Sequence, residues 1–143
     1  NIKKNIYTNQ KFYKIINYSQ IKIIHAGIHH GEDNFLEKNQ TVFEVSKQIP
    51  LEIKVKTKST PLYYFSIKDP SKVGSVRNSF QRGSIAMVKS DDRKSSSTEF
   101  FFVTGKIPEL NGRYSIFGKI VRGLEILEKI EKKDMLYEAE ILN

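Results

Sequence analysis

The stretch SSSTEFFFVTGKIPELNGRYSIFGKIVRGLEILEKIEKK, residues 95–133, decides the fold. It opens on an aromatic strand, Phe100-Phe101-Phe102-Val103-Thr104. Side chains alternate across a strand, so two of the three phenylalanines face one side and at least one of the three belongs to a core. A loop ending in Asn111-Gly112 leads to a second strand, Tyr114–Ile120, which contains Phe117-Gly118. After Gly123, Leu124, Leu127 and Ile130 recur at helical spacing, with Glu128 and Lys132 on the far side.

Working outward, FYKII at 12–16 and IKIIHA at 21–26 read as two short β-branched strands joined by a turn at Asn17–Gln20. Gly27–Asn39 reads as a polar loop and VFEV at 42–45 as a short strand. In Leu51–Thr57, Leu51, Ile53, Val55 and Thr57 face one way and Glu52, Lys54, Lys56 and Lys58 the other, the pattern of a strand buried on one side. LYYFSI at 62–67 fits a strand or an aromatic-pinned loop. SIAMV at 84–88 reads as a buried strand, Lys89–Ser97 as a charged, Ser-rich loop, and Leu136–Leu142 as a closing strand. Many short strands with one helix make the chain mostly β, with no internal repeat.

A length of 143 residues suits one domain, taken here as 1–143. No run of ~18 apolar residues is present, so no helical membrane span is expected. The absence of cysteine excludes disulfides and thiolate chemistry and leaves the compartment undetermined. Lys plus Arg number 24 against 16 acids, a formal charge of +8 spread along the chain without a dense Arg run. That favours a solvated basic surface over a nucleic-acid site.

The order and spacing of these segments resemble the cyclophilin-type peptidyl-prolyl cis-trans isomerase family. IYTNQKFYKII at 6–16 is similar to the family's Phe-Tyr-Asp-Gly-Thr turn leading into Phe-His-Arg-Val-Ile. His25-Ala26-Gly27 stands where that family has Gln-Gly-Gly, and IPLEI at 49–53 resembles Ile-Pro-Ala-Glu. Gly83–Val88, Thr98–Phe102 and Leu110–Gly118 resemble Gly-x-Leu-Ser-Met-Ala, Ser-Gln-Phe-Phe-Ile and Leu-Asp-Gly-Lys-His-x-x-Phe-Gly. The match is weakest between Ile28 and Phe80. The resemblance implies a cyclophilin-like antiparallel β-barrel with a flanking helix. It also leads us to expect that the first strands and first helix of the domain are absent from this chain.

Rotation about an X–Pro bond must break amide resonance, with a barrier of about 20 kcal/mol. A catalyst needs no nucleophile, metal or cofactor for this. It grips the proline and places a donor against the proline nitrogen as its lone pair localises. The resemblance carries the family's catalytic Arg onto Lys14, which keeps the charge and loses the planar fork. It implies a peptide-binding wall of Ile23, His25, Val88, Lys89, Glu99, Phe101, Leu110 and Tyr114. Phe101 and Leu110 retain the family's residues. His25 and Glu99 replace two glutamines, Val88-Lys89 replaces Ala-Asn, Tyr114 replaces a histidine, and Glu109 replaces the tryptophan.

Bringing Lys14, His25 and Glu99 together predicts a Lys14–Glu99 ion pair with His25 as a titratable third member. Such a pair would turn the donor from the substrate, and loss of one donor can cost ~100- to 1,000-fold in rate. The expected function is therefore a prolyl-peptide-binding isomerase domain with an eroded site. The alternative is a non-catalytic scaffold subunit of a larger assembly. Expected partners are proline-containing segments and other protein subunits. His25, His29 and His30 with Glu32 and Asp33 do not line up as zinc ligands, so neither metal nor cofactor is expected. The Lys54, Lys56, Lys58 row reads as a solvated or edge-guarding face.

Overall fold

The computed structural model describes residues 7–29, 48–89 and 91–142. The strand expected at 42–45, most of the polar loop at 27–39, and His30, Glu32 and Asp33 fall outside them. The central element is a six-stranded antiparallel sheet. Its strands run in the order β2 (Lys14–Tyr18), β3 (Ile21–Gly27), β8 (Lys94–Val103), β7 (Ser84–Lys89) and β9 (Ile116–Lys119), with β4 (Gln48–Pro50) pairing the first part of β8. Two-stranded pieces flank it: β1 (Gln10–Lys11) with β10 (Met135–Leu136), and β5 (Glu52–Ile53) with β6 (Leu62–Tyr63). Among the described residues the sheet is open, and β2 and β9 are its two ends. No described helix is long and apolar enough to cross a membrane.

The aromatic run builds both sides of this sheet. Phe101 and Val103 pack with Phe80, Ala86 and Ile107 on one face. Phe100 and Phe102 pack with Phe12, Ile24, Ala26 and Leu127 on the other. All three phenylalanines therefore contribute to cores, as period-two alternation in a doubly covered strand requires. A third cluster, Leu51, Ile53, Val55, Ile67 and Val76, lies beside the sheet.

Several boundaries differ from the sequence reading. The strand expected to begin at Phe12 begins at Lys14, because Phe12 turns into the core. The alternation at 51–55 is real, with Leu51, Ile53 and Val55 buried. Regular pairing there stops at Ile53, apart from a bridge between Val55 and Val76, and Thr57 is exposed in a turn. Lys94–Ser97, expected in a loop, is the first part of β8, paired to β4 through Ile49 and Ser95. The last strand shrinks to Met135–Leu136, and Ile141 and Leu142 stay exposed. The helix α1 is one turn, Leu124–Leu127, starting after Gly123 in the left-handed conformation and burying Leu127.

Candidate functional site

Antiparallel register places a row of side chains across the face that carries Phe101. Lys14 of β2 lies opposite His25 of β3, His25 opposite Phe101 of β8, and Phe101 opposite Ala86 of β7. Residues directly opposite share a face, so the row runs from an exposed ammonium to a buried ring. The rings of His25 and Phe101 stack with centroids 5.5 Å apart. Phe80 stacks on Phe101 at 5.7 Å, and Tyr114 meets its edge at 5.2 Å. These neighbours leave Phe101 2 % exposed.

The remaining wall residues fall around this cluster. Ile23, Val88, Leu110 and Tyr114 are partly buried against it. Leu110 ends a 3-10 turn, Pro108–Leu110, and Val88 lies near the end of β7. The Lys89 ammonium sits 5.6 Å over the Tyr114 ring and 2.6 Å from the Asp92 carboxylate. Asp92 is also held by Lys68, and hydrogen bonds from the two ammonium groups bring its carboxyl down to about 2. Lys89 is thus engaged on two sides, by a ring face and by a carboxylate.

The Lys14–Glu99 ion pair does not form. Glu99 lies opposite Gly27, beyond the end of β2, and its Oε1 accepts from the Tyr13 hydroxyl at 3.1 Å and from His29 Nδ1 at 2.9 Å. Tyr13 and His29 stack almost parallel, centroids 4.2 Å apart. With these two groups on Glu99, no carboxylate lies within ion-pair distance of Lys14 among the described residues. The proton of Tyr13 is committed to Glu99, so its 3.4 Å contact with His25 Nδ1 has the imidazole as donor. Burial raises the Tyr13 phenol well above its ordinary value, and the Glu99 charge adds to the effect. Burial also lowers His25 to about 4, helped by the Lys14 charge and opposed by Glu99. His25 is therefore a neutral ring at pH 7.

Gly27 allows this geometry. Its φ is +98°, and a Cβ there would lie 2.1 Å from the Thr98 carbonyl oxygen. Only a residue without a side chain lets β3 pass so close to β8 and deliver His29 to Glu99. On the other side of the row, the buried Asn111 side-chain oxygen accepts from the Phe80 amide at 2.7 Å, which fixes the ring that covers Phe101.

Sequence reasoning gave no role to Tyr13, Phe80 or Asn111, and considered His29 only as a metal ligand. Tyr13 had a visible signal, since it precedes Lys14 directly. Phe80 and Asn111 are 31 residues apart, and nothing local announces their hydrogen bond.

Fold and site together define an antiparallel β architecture with a buried aromatic cluster in one row and an exposed ammonium at its end. The sequence model of the family "Cyclophilin type peptidyl-prolyl cis-trans isomerase/CLD" matches residues 1–141, so the chain belongs to the cyclophilin family. A "Probable peptidyl-prolyl cis-trans isomerase" of Brucella abortus is 38 % identical over 53 residues, covering 37 % of this chain and 27 % of the relative. The peptidyl-prolyl cis-trans isomerase CYP18-1 of Arabidopsis thaliana is 43 % identical over 51 residues, 36 % of this chain and 31 % of the relative. These matches span about a third or less of the curated relatives. The solved cyclophilin AquaCyp293 from Hirschia baltica superposes with a TM-score of 0.51 at 15 % identity, over 94 % of this chain and 57 % of that one, and shares the fold.

Proposed function

We propose that this cyclophilin-type domain binds proline-containing segments along the Lys14–His25–Phe101 row and isomerises them slowly. Family membership supports the class of activity. The burial of Phe101 supports the low rate: with His25, Phe80 and Tyr114 packed on it, a proline ring reaches it only after a neighbour moves. Displacing one packed ring costs about 0.5–1.5 kcal/mol beyond its lost area. Lys14 is free of Glu99 and can point a proton at the proline nitrogen. Its flexible stem holds that donor less firmly than a guanidinium fork does. Donor and wall thus support binding, with transition-state stabilisation weakened.

The same burial favours a second reading, a scaffold domain whose ancestral groove is closed. A protease-free isomerisation assay on proline tetrapeptides, read by NMR exchange, separates the two. Slow exchange catalysis that falls further in Lys14→Ala supports the enzyme. Peptide resonances unmoved by the protein at any concentration support the scaffold. Fast turnover that Lys14→Ala abolishes would refute the erosion argument.

A further inference from the structure

At the opposite end of the sheet from β2, a cleft of about 660 Å³ runs between β9 and the segment carrying β5. That volume is within the range of ligand clefts, ~300–1,000 Å³. Its lining includes apolar groups from Ile53, Val76 and Ile116, and Tyr114 and the exposed Phe117 also contribute. Tyr114 is the same ring that meets the edge of Phe101, so the cleft begins where the candidate proline site ends.

Three exposed cations, Lys54, Arg77 and Lys119, line it. Among the described residues none of them has a carboxylate within ion-pair distance, whereas Lys68, Lys72, Arg82, Lys89 and Lys133 each hold one. Like charges on one concave surface repel, and low-dielectric walls focus their field, so an anionic ligand relieves a standing cost. Glu52 is the single acid in the lining. Its main-chain N–H is bonded to Ser115 Oγ at 2.8 Å, which fixes its backbone beside β9. An acid in the same lining disfavours a continuous phosphate backbone. It is compatible with a chain bearing spaced carboxylates, and the apolar lining suits the intervening side chains.

We propose that this cleft binds an acidic segment of a client polypeptide, an Asp- and Glu-bearing stretch flanking the proline that occupies the Lys14–Phe101 row. The inference rests on the prolyl-peptide reading and adds the substrate class. The cations contribute mainly to encounter and to discrimination, as charges at the rim of an interface do.

The test uses the full chain and four fluorescent peptides of equal length, with or without proline and with an acidic or a Ser/Gly flank. Anisotropy titrations are run at low and at ~0.3 M salt. The acidic proline peptide is expected to bind ~10-fold tighter than the neutral one at low salt, with the ratio shrinking as salt screens the field. In Arg77→Glu/Lys119→Glu the ratio should fall toward one. The milder Arg77→Gln/Lys119→Gln should reduce it several-fold, and this variant carries the test if charge reversal impairs folding. Equal affinities for acidic and neutral flanks, or a ratio indifferent to both variants, would overturn the proposal. An oligonucleotide of equal charge that competes as well as the acidic peptide would overturn the assignment to a polypeptide. If acidic peptides bind alike with and without proline, the cleft stands and the prolyl reading falls.

Discussion

Acidification should weaken the fold through His25, because the imidazole is kept neutral inside the row. Its ordinary value is 6.5, and burial with the Lys14 charge lowers it to about 4. A histidine with a depressed pKa stabilises the native state above 6.5, where both states are neutral. That stability is lost as pH falls from 6.5 toward 4, because the unfolded chain takes up the proton first. The full gap corresponds to about 3.4 kcal/mol. The ring keeps part of its surface in water, and solvent screening reduces this to roughly 2 kcal/mol. Urea denaturation at pH 7, 5.5 and 4 measures it, with His25→Gln as the reference that cannot ionise. Carboxylates uncoupled from His25 titrate in both proteins and cancel in the difference, and the Glu99 coupling enters the His25 value itself. At ~1–3 kcal/mol per molar urea, the midpoint of the native protein should fall ~1 M further than that of the variant between pH 7 and pH 4. Parallel midpoints across that range would show that His25 is not buried neutral beside Lys14, and the geometry of the row would have to be abandoned.

Gly27→Ala should destabilise by at least about 2 kcal/mol in chemical denaturation, because the left-handed backbone and the overlap with the Thr98 oxygen act together. Asn111→Ala should cost about 1–3 kcal/mol, since it leaves the Phe80 amide buried without an acceptor, and a thermal melt at pH 7 reads it. Lys14→Arg should raise the isomerisation rate of proline tetrapeptides, up to about tenfold, by restoring a planar donor fork at an exposed position. An unchanged rate would place the limitation in the covered Phe101 ring.

The aromatic run was legible because its alternation serves both faces of a central strand, and the register follows from it. The extension of that strand back to Lys94 was not. Ser95–Ser97 carry no strand signal of their own and are drawn in by pairing with β4. The closing strand shortened for the converse reason: Leu136–Leu142 alternates, but among the described residues the regular ladder with β1 stops at Leu136, with one further bond from the Asn9 amide to the Tyr137 carbonyl. Placing Lys14, His25 and Phe101 in one row was within reach of resemblance. The partners of Glu99 were not, because complementary charge pointed to Lys14. The carboxylate instead took the groups that the Gly27 crossing and the Tyr13–His29 stack bring to it.

The cluster of Leu51, Ile53, Val55, Ile67 and Val76 also bears on motion. Its backbone bonds include internal ones, from Lys56 to Ser75, Arg77 to Lys54 and Tyr64 to Leu51, each 2.8–2.9 Å. Links from this cluster to the rest of the molecule include the Ile67 amide on the Gly112 carbonyl, the Leu51 amide on the Arg93 carbonyl and the Glu52 amide on Ser115. A cluster with backbone bonds of its own can open locally and exchange its amide hydrogens below the free energy of global unfolding. The Glu52 amide on Ser115 lies in the lining of the cationic cleft, so its hydrogen-exchange protection tests whether that wall opens.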